Sequence, residues 1–206
     1  MQIVFKRPFL ETAHHYGDLN AHSRQQLAAF LTYVALNVSD GYTASEFQTA
    51  IGALPQEGLK KTAHILWQAL EASGEQREDY WRNRILPFWQ KIWPKSGDRA
   101  SKSIAGLLAQ MAIAARGEFP SALDTVYSWL EPNGFPQYPV HLLDKSGLCA
   151  RFPKDALRLL DAIIGDSQWV SSELGACLEA IKQKDLRLVQ DPRYHRLQEY
   201  LRKQTL

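Results

Sequence analysis

The sequence predicts an all-α protein, an irregular helical bundle that passes into a short α-solenoid of antiparallel helix pairs. Three observations predict this fold. Apolar residues recur at helical spacing along most of the 206 residues, while no long stretch alternates with a period of two. Glycine and proline fall between the periodic stretches, where helices end and begin. Two Phe-Pro helix starts also recur in the second half of the chain.

Composition is that of an ordinary globular protein, with 45% hydrophobic and 22% charged residues. A chain of this length suits one domain or two small ones, and the net charge of +2 is too small to imply a partner. The two cysteines, Cys149 and Cys177, lack zinc-ligand spacing, so we expect reduced core thiols in a cytoplasmic protein. The N-terminus lacks a secretory signal and no apolar run reaches membrane-spanning length, so we expect no membrane contact.

The first clear helix is predicted to begin at Ser23. Ser23 with Gln26 fits a capping box, in which each side chain bonds an amide of the first turn. Apolar residues then recur at helical spacing to Val38, and residues such as Tyr33 fill the other face. We therefore expect a helix that is buried nearly all round and that an Asp-Gly pair ends.

Two more helices are predicted before residue 74. Thr43 with Glu46 offers a second capping box for a short amphipathic helix. Pro55 can open the next helix at its first position, since the proline needs no amide there. That helix is predicted to run to about Ser73, with His64 on its polar face.

The stretch 74–94 is the one around which we expect the first half to be organised. It holds three of the six tryptophans. On a continuous helix, four of its apolar residues form one ridge at successive i, i+4 steps: Trp81, Ile85, Trp89 and Trp93. Arginines flank that ridge. Pro87 would cost about 3 kcal/mol in a straight helix, so we expect a kink near Asn83 or two helices that meet there.

The second half of the chain is repetitive, and we expect sub-units at 1–97 and 98–206. Phe119-Pro120-x-Ala122-Leu123 and Phe152-Pro153-x-x-Ala156-Leu157 look like copies with a spacing of 152 − 119 = 33 residues. Proline sets φ for the first helical turn, and the preceding phenylalanine can pack over it. This period predicts a short solenoid of the HEAT or tetratricopeptide kind. The alternative is coincidence, because Phe-Pro before a helix is common.

The remaining helices of the second half follow from their breakers. We predict helices from Ala100 to a Gly117 cap, from Phe119 with Tyr127 and Leu130 inward, and from Pro139 to Ser146. Another begins at Ser171 or Ser172 and carries the apolar stripe Leu174, Cys177, Leu178 and Ile181. Asp191-Pro192 opens the last helix as an N-cap followed by a first-turn proline.

No constellation in the sequence predicts catalysis, a cofactor or a metal. His14, His15 and His22 lie near one another, but adjacent histidines point apart on a helix and no HExxH spacing occurs. As a catalytic base, His64 would need a carboxylate to orient it, and the sequence does not place one. Phosphate-binding glycine motifs, a CxxC pair and a G-x-S-x-G elbow do not occur. We therefore expect a protein that is not an enzyme.

Two groups of residues are candidates for contact with a partner. Tryptophan and arginine are favoured anchors of protein interfaces and can stack on nucleic acid, although we favour a core ridge edged by solvated arginines. The C-terminal segment 182–206 has seven cations against three carboxylates, 7 − 3 = +4, which could touch phosphates or simply complement helix dipoles. The candidates are Arg77, Trp81, Arg84, Trp89, Trp93, Arg193, Arg196 and Arg202.

A set of aromatic, arginine and proline positions carries a resemblance to a known family. The positions are Arg77, Tyr80-Trp81, Arg84, Pro87 and Trp89, followed by Phe119-Pro120 and Phe152-Pro153. In this pattern the region from Leu59 to Tyr200 resembles the C-terminal helical region of large bacterial multidomain proteins linked to anti-phage defence. Some of those proteins carry sirtuin-type or P-loop NTPase effectors upstream. The resemblance implies a part that senses or assembles, with no catalysis of its own.

The present chain departs from that pattern by lacking an effector domain, so we expect a fragment, a separately made short product or a stand-alone subunit. The leading hypothesis is a non-enzymatic interaction or regulatory module that docks onto itself or onto a larger effector protein. The alternative is a nucleic-acid-binding helical domain that uses the basic C-terminal helices.

Overall fold

The computed structural model describes residues 18–37, 44–95, 101–130, 136–164 and 172–204, apart from the side chains of residues 44, 46 and 204. Every regular element in these ranges is a helix, so the predicted all-α class is confirmed. The chain folds into two compact units, Met1–Arg99 and Ala100–Leu206. The boundary predicted from the sequence, between residues 97 and 98, lies two residues before the boundary between these units. Each unit is described by itself.

The first unit is built around a pair of long helices. Helix α1 spans Ala21–Asn37, α2 spans Ala44–Ala53 and α3 spans Gln56–Ala72. A 3-10 turn, Gly74–Gln76, then leads into α4 (Arg77–Tyr80), a π-helical turn (Trp81–Ile85) and α5 (Leu86–Lys91). Helix α1 packs along α3 and against α2, and both α1 and α3 contact the π-helical turn. The stretch 74–94, which we call the aromatic segment, therefore packs against both long helices.

Small residues and a pair of hydroxyls let α1 and α3 approach each other. Ala28 on α1 and Gly58 and Ala63 on α3 are buried. The Thr32 and Thr62 hydroxyls lie 3.1 Å apart in the core, and each also lies within hydrogen-bond distance of a carbonyl one turn earlier on its own helix. The two buried hydroxyls are thus satisfied without water, as burial of a polar group requires.

Helix α1 differs from its prediction in two ways. It begins at Ala21 because Asn20 caps it, its Oδ1 accepting the Ser23 amide at 2.9 Å. Asn and Ser are equally favoured as N-caps, so Asn20 can start the helix three residues before Ser23. The helix is also not buried all round, since 64% of Tyr33 is exposed. The Thr43–Glu46 capping box lies outside the described side chains, and Pro55 is the cap of α3 with Gln56 as its first residue.

Pro87 produces a π-helical turn in an otherwise continuous helix. Because proline lacks an amide hydrogen, the carbonyl of Asn83 loses its usual donor. The turn just before it widens, and the Leu86 amide bonds the Trp81 carbonyl five residues back. The predicted disturbance near Asn83 is confirmed, and its form is a π bulge.

The second unit contains seven α-helices in its described residues. They are α6 (Lys102–Ala114), α7 (Phe119–Val126), α8 (Gln137–Lys145), α9 (Leu148–Arg151), α10 (Pro153–Ile164), α11 (Glu173–Lys184) and α12 (Pro192–Gln204). Short 3-10 helices, Arg116–Glu118, Tyr127–Trp129 and Leu186–Gln190, join or extend some of them. Helix α6 is buried along most of its length, as its alanine-rich sequence allows.

The packing of these helices is that of a stack of helix pairs. Helix α6 pairs with α7, and α11 pairs with α12. Between these two pairs, the short helix α9 packs against both α8 and α10. Within what we call the first layer, α6 contacts α8, and α8 and α9 contact α11. Within the second layer, α7 contacts α10, and α10 contacts α12. Successive pairs thus contact their neighbours, which is the pattern of a short solenoid.

The two Phe-Pro helix starts lie side by side in the second layer. Phe119 and Phe152 have ring centroids 6.2 Å apart at an angle of 43°. Phe119 is buried, and the Arg151 guanidinium lies 5.1 Å from the centroid of the Phe152 ring. Pro120 and Pro153 each occupy the first turn of their helix. The residue pattern that repeats in the sequence therefore forms a contact between neighbouring helix pairs.

Three details of the second unit correct the predictions. Helix α6 ends at Ala114, and Arg116, not Gly117, takes the left-handed backbone with φ 55°. Tyr127 is 37% exposed, whereas Trp129 is buried. The reason is the 3-10 helix Tyr127–Trp129, whose three residues per turn change which side chains face inward. Leu130 is only half-buried.

Asp191 opens the last helix as predicted. Its Oδ1 accepts the Arg193 amide at 2.9 Å, and its carbonyl accepts the Tyr194 amide at 3.0 Å. Among the described residues, no helix is both long enough and apolar enough to cross a bilayer.

Candidate functional site

The tryptophans of the aromatic segment build the core of the first unit. Trp81 and Trp93 are buried, as are Ile85 and Phe88. Trp89 is half-buried and stacks on Trp93, with ring centroids 4.7 Å apart and planes 11° apart. Beyond the π-helical turn, the buried positions Ile85, Phe88 and Ile92 follow helical i, i+3, i+7 spacing, so Phe88 and not Trp89 faces the core.

The arginines of this segment are engaged within the first unit. Arg77 forms an ion pair with Glu71 at 2.7 Å, and Arg82 forms one with Asp79 at 2.6 Å. Arg84 is exposed, and its Nη1 lies 3.4 Å from the Leu36 carbonyl near the end of α1. A guanidinium suits that position, because the last carbonyls of a helix lack intrahelical donors. Arg84 therefore links the π-helical turn to α1 while remaining accessible.

Carboxylates of the second unit contact several cations in segment 182–206, among them Lys182, Arg187, Arg193 and Arg196. Lys182 pairs with Glu179 at 3.3 Å on α11. Arg196 on α12 pairs with Asp161 on α10 across the second layer. Arg187 and Arg193 each pair with an aspartate two residues earlier. Two of these carboxylates, Glu179 and Asp161, lie outside the segment, so the folded chain offsets more of its charge than the count along the sequence indicates.

Two Asp-x-Arg turns share one geometry. In each, the aspartate accepts the backbone amide of the arginine and two hydrogen bonds from its guanidinium: Asp185 with Arg187, and Asp191 with Arg193. Bidentate pairs of this kind are the stronger type of charged hydrogen bond. The hydrogen bond from Arg193 holds the pKa of the Asp191 carboxyl at about 2 instead of the usual 3.8.

A cluster of tyrosine, arginine and aspartate lies across the three helices of the second layer. Arg158 on α10 contacts Asp124 on α7 at 2.8 Å and Asp155 on its own helix at 3.2 Å. Its guanidinium also lies 4.8 Å from the centroid of the Tyr127 ring. The hydrogen bond that Arg158 donates to Asp124 is the main reason that the pKa of Arg158 is raised.

The same cluster reaches α12 through Arg193. The hydrogen bond that Arg193 donates to Asp191 is the largest cause of the raised pKa of Arg193, and the interaction of Arg193 with Tyr127 adds to the rise. With the Arg196–Asp161 pair, charged contacts therefore run from α7 over α10 to α12. We call Asp124, Tyr127, Arg158, Arg193 and Arg196 the second-layer cluster. It is the candidate functional site.

The histidines that we considered for chemistry are placed as follows. His14 and His15 lie outside the described residues, and His22 hydrogen-bonds Gln26 with a distance of 2.7 Å between their nitrogens. His64 packs on Trp67 with ring centroids 5.5 Å apart. Burial, followed by Lys61 and Lys60, lowers the pKa of His64. Within the described residues, no three His, Cys, Asp or Glu side chains gather in a geometry that could hold a metal.

Part of the second-layer cluster was predictable from the sequence, and part was not. Arg193 and Arg196 were candidates because of the charge count in the C-terminal segment. Arg158 and Asp124 were missed, because their pairing joins residues 34 positions apart. The Phe-Pro repeat could have indicated this pairing, because it aligns the two helices that carry Arg158 and Asp124. Tyr127 was predicted to face inward.

The fold and this cluster define an all-α protein whose second unit is a short helical solenoid with a charged second layer. Neither a family model nor a solved structure matches the chain. The chain is similar to the uncharacterized protein y4cA of Sinorhizobium fredii, with 27% identity over 182 residues. That similarity covers 86% of this chain and 15% of the relative, so the chain spans a small part of that protein's length.

Proposed function

We propose that the chain is a non-enzymatic helical interaction module, a subunit or part of a larger bacterial assembly of the anti-phage defence type. The observation that supports this most is the second-layer cluster, in which Tyr127 and the arginines of α10 and α12 form one surface over three helices. Arginine and tyrosine are over-represented where proteins bind proteins. A solenoid offers such residues on a continuous face.

The similarity to a much longer protein supports the same proposal. A region that makes up 15% of a relative's length is the size of one part of a multidomain chain. Helical repeat units commonly serve as binding surfaces in such chains. The proposed partner is therefore a larger effector protein or a second copy of this chain.

The paired charges favour a protein partner over nucleic acid. A protein that binds nucleic acid neutralises phosphates with its Lys and Arg side chains and so releases the counterions condensed on the nucleic acid. Cations already paired with carboxylates are less available for this. In this chain, Lys182, Arg187, Arg193 and Arg196 already contact carboxylates. Nucleic-acid binding by the C-terminal helices stays the alternative prediction, and a salt series with short duplex and single-stranded DNA and RNA tests it. Steep loss of affinity with salt is the result that would favour it.

The direct test captures partners of the tagged full chain from its host and compares two matched double variants. Arg196→Glu with Arg202→Glu reverses two charges on α12, and Lys182→Glu with Lys184→Glu reverses two charges on α11. We expect a stoichiometric protein partner that the first variant loses and the second retains. Circular dichroism confirms that both variants fold.

Two results would contradict the proposal. One is a chain that retains no protein and does not self-associate. The other is equal weakening by both double variants together with co-purified nucleic acid, because non-specific phosphate contact depends on charge and not on the helix that carries it.

A further inference from the structure

The large hydrophobic side chains that the first unit leaves exposed lie on one face of α1. Among the described residues of this unit, the two most exposed are Phe30 and Tyr33, at 42% and 64%. They are three positions apart, so they are neighbours on the same helix face. Hydrophobic side chains exposed singly are normal on a protein surface, whereas contiguous patches mark binding sites. This face of α1 is therefore a candidate contact surface.

Arg84 joins the π-helical turn to the same face. Its Nη1 lies 3.4 Å from the Leu36 carbonyl. Leu36 is one turn after Tyr33 on α1, and Tyr80 is four positions before Arg84, so both tyrosines lie about one helical turn from this contact. We call Tyr33, Tyr80 and Arg84 the first-unit patch.

Arg84 differs from its neighbours in the aromatic segment, because no carboxylate contacts it among the described residues. Arg77 pairs with Glu71 at 2.7 Å and Arg82 pairs with Asp79 at 2.6 Å, whereas Arg84 contacts a carbonyl. That contact uses one of the five guanidinium donors and neutralises no charge. The guanidinium is thus positioned by α1 and keeps donors for a carboxylate, with which it forms strong charged hydrogen bonds.

We propose that the first-unit patch binds a short segment of another protein, one that carries a carboxylate beside an aromatic or large aliphatic side chain. The carboxylate bonds Arg84 and the Tyr80 hydroxyl, and the apolar side chain packs on Tyr33. The patch lies wholly in the first unit, so it does not depend on the second-layer cluster. Small interfaces are weak and transient, so this complex dissociates during purification.

Tyr80 supplies a donor because its hydroxyl stays protonated at neutral pH. Burial raises the pKa of Tyr80, the charge of Arg84 opposes that rise, and Tyr33 adds to it. A protonated tyrosine hydroxyl donates a hydrogen bond to a carboxylate, as a guanidinium does. One neutral and one charged donor therefore meet the same carboxylate, while the exposed ring of Tyr33 meets its apolar neighbour.

Neighbouring carboxylates disfavour nucleic acid at this patch. Glu78 and Asp79 lie on α4, directly before Tyr80. Nucleic acid carries a phosphate at every nucleotide, so these carboxylates repel its backbone, and Arg84 alone offers it one contact. A single carboxylate on an otherwise apolar segment pairs with the one cation and meets less repulsion.

The chemistry of the ligand is tested by selecting a displayed library of random peptides on the immobilised full chain. We expect the enriched peptides to share an aspartate or glutamate close to Phe, Trp or Leu. A fluorescein-labelled synthetic copy of an enriched peptide then gives the affinity by fluorescence polarisation. Enriched peptides that lack an acidic residue would overturn the proposal, as would a peptide that binds equally well when its carboxylate is replaced by the amide.

Variants of the full chain locate the binding site. Tyr33→Ala and Arg84→Gln should each weaken peptide binding roughly tenfold, because a few aromatic and arginine anchors carry most of the energy of an interface. Arg82→Gln is the matched control on the same π-helical turn, since Arg82 is already paired with Asp79, and it should change the affinity less than about twofold.

Circular dichroism checks the fold of each variant. Tyr33 is exposed, so Tyr33→Ala keeps the test decisive if Arg84→Gln does not fold. Peptide binding that Tyr33→Ala and every folded Arg84 variant retain would overturn the proposal.

Two further results separate this proposal from the others. The proposal predicts that the peptide still binds Arg196→Glu with Arg202→Glu, because both residues lie in the second unit. Peptide binding that only this double variant removes would place the site on the second unit and overturn the proposal. Labelled single-stranded DNA that binds more tightly than the peptide, and that Tyr33→Ala releases, would overturn it in favour of a nucleic-acid surface.

Discussion

At the scale of single residues, the aromatic segment shows how burial separates a structural role from an accessible one. Trp81 is fully buried, whereas Trp89 is half-buried and stacks on Trp93. Truncating a buried ring loses its transfer free energy and leaves a cavity, whereas solvent can fill the space left by a partly exposed ring. The two tryptophans should therefore differ in their contribution to stability.

We predict that Trp81→Ala lowers the free energy of unfolding by about 3–5 kcal/mol. Trp89→Ala should cost about 1–3 kcal/mol, since it loses one stacking contact and part of its burial. Chemical denaturation followed by far-UV circular dichroism measures both. Equal losses, or a larger loss at Trp89, would contradict the difference in burial between the two rings.

The Asp191 carboxyl predicts a dependence of stability on pH. Its pKa is lowered in the folded state by the hydrogen bond from Arg193, to about 2. The stabilisation is therefore fully present above the unfolded pKa near 4 and is lost as the pH falls through about 2. A shift of this size corresponds to about 1–2 kcal/mol after allowance for partial exposure.

Asp191→Asn should remove that stabilisation, so wild type and variant differ most at pH 5–7 and converge towards pH 2. Asp185→Asn is the matched control, because its turn has the same hydrogen bonds in a more exposed position and solvent screens them. Urea denaturation at several pH values measures both differences. A difference between wild type and Asp191→Asn that does not shrink on acidification would contradict the assignment.

At the scale of elements, the breakers explain which parts of the fold the sequence could predict. Pro87 predicted a disturbed helix, because a missing amide acts locally, and Asp191-Pro192 predicted a helix start for the same reason. The inward position predicted for Tyr127 was wrong, because the 3-10 helix that turns Trp129 inward depends on packing against α6. The Arg158–Asp124 pair was not predictable, since it needs the alignment of two helices.

Two glycines give an element-scale prediction with opposite signs. Gly147 has φ 69°, and a Cβ there would meet no atom within 4 Å, so Gly147→Ala carries only the backbone cost of about 1 kcal/mol. Gly175 lies within α11 with equally open space. Gly175→Ala should stabilise the protein by about 0.5–1 kcal/mol, because alanine is the better helix former.

Thermal unfolding of the two variants checks the pair. We expect a lower midpoint for Gly147→Ala and a higher one for Gly175→Ala. A rise at Gly147 would show that the turn between α8 and α9 adopts another backbone conformation.

At the scale of the whole molecule, two helical units use their large aromatic side chains and charges mainly to hold themselves together. Trp81, Trp93 and Trp129 are buried, and most of the arginines described above contact carboxylates. In the first unit, Arg84 is exposed. In the second unit, the second-layer cluster lies on an accessible helical surface. The proposal of an interaction module depends on that surface having a partner.

Light scattering coupled to size exclusion tests this claim most directly, on the tagged full chain purified gently from its host. We predict a particle well above 23.4 kDa, the mass of one chain, that contains either a second copy or a larger protein in fixed ratio. We also predict that Arg196→Glu with Arg202→Glu returns the particle to the mass of one chain. A particle of 23.4 kDa at every concentration, with no other protein bound, would contradict the proposal.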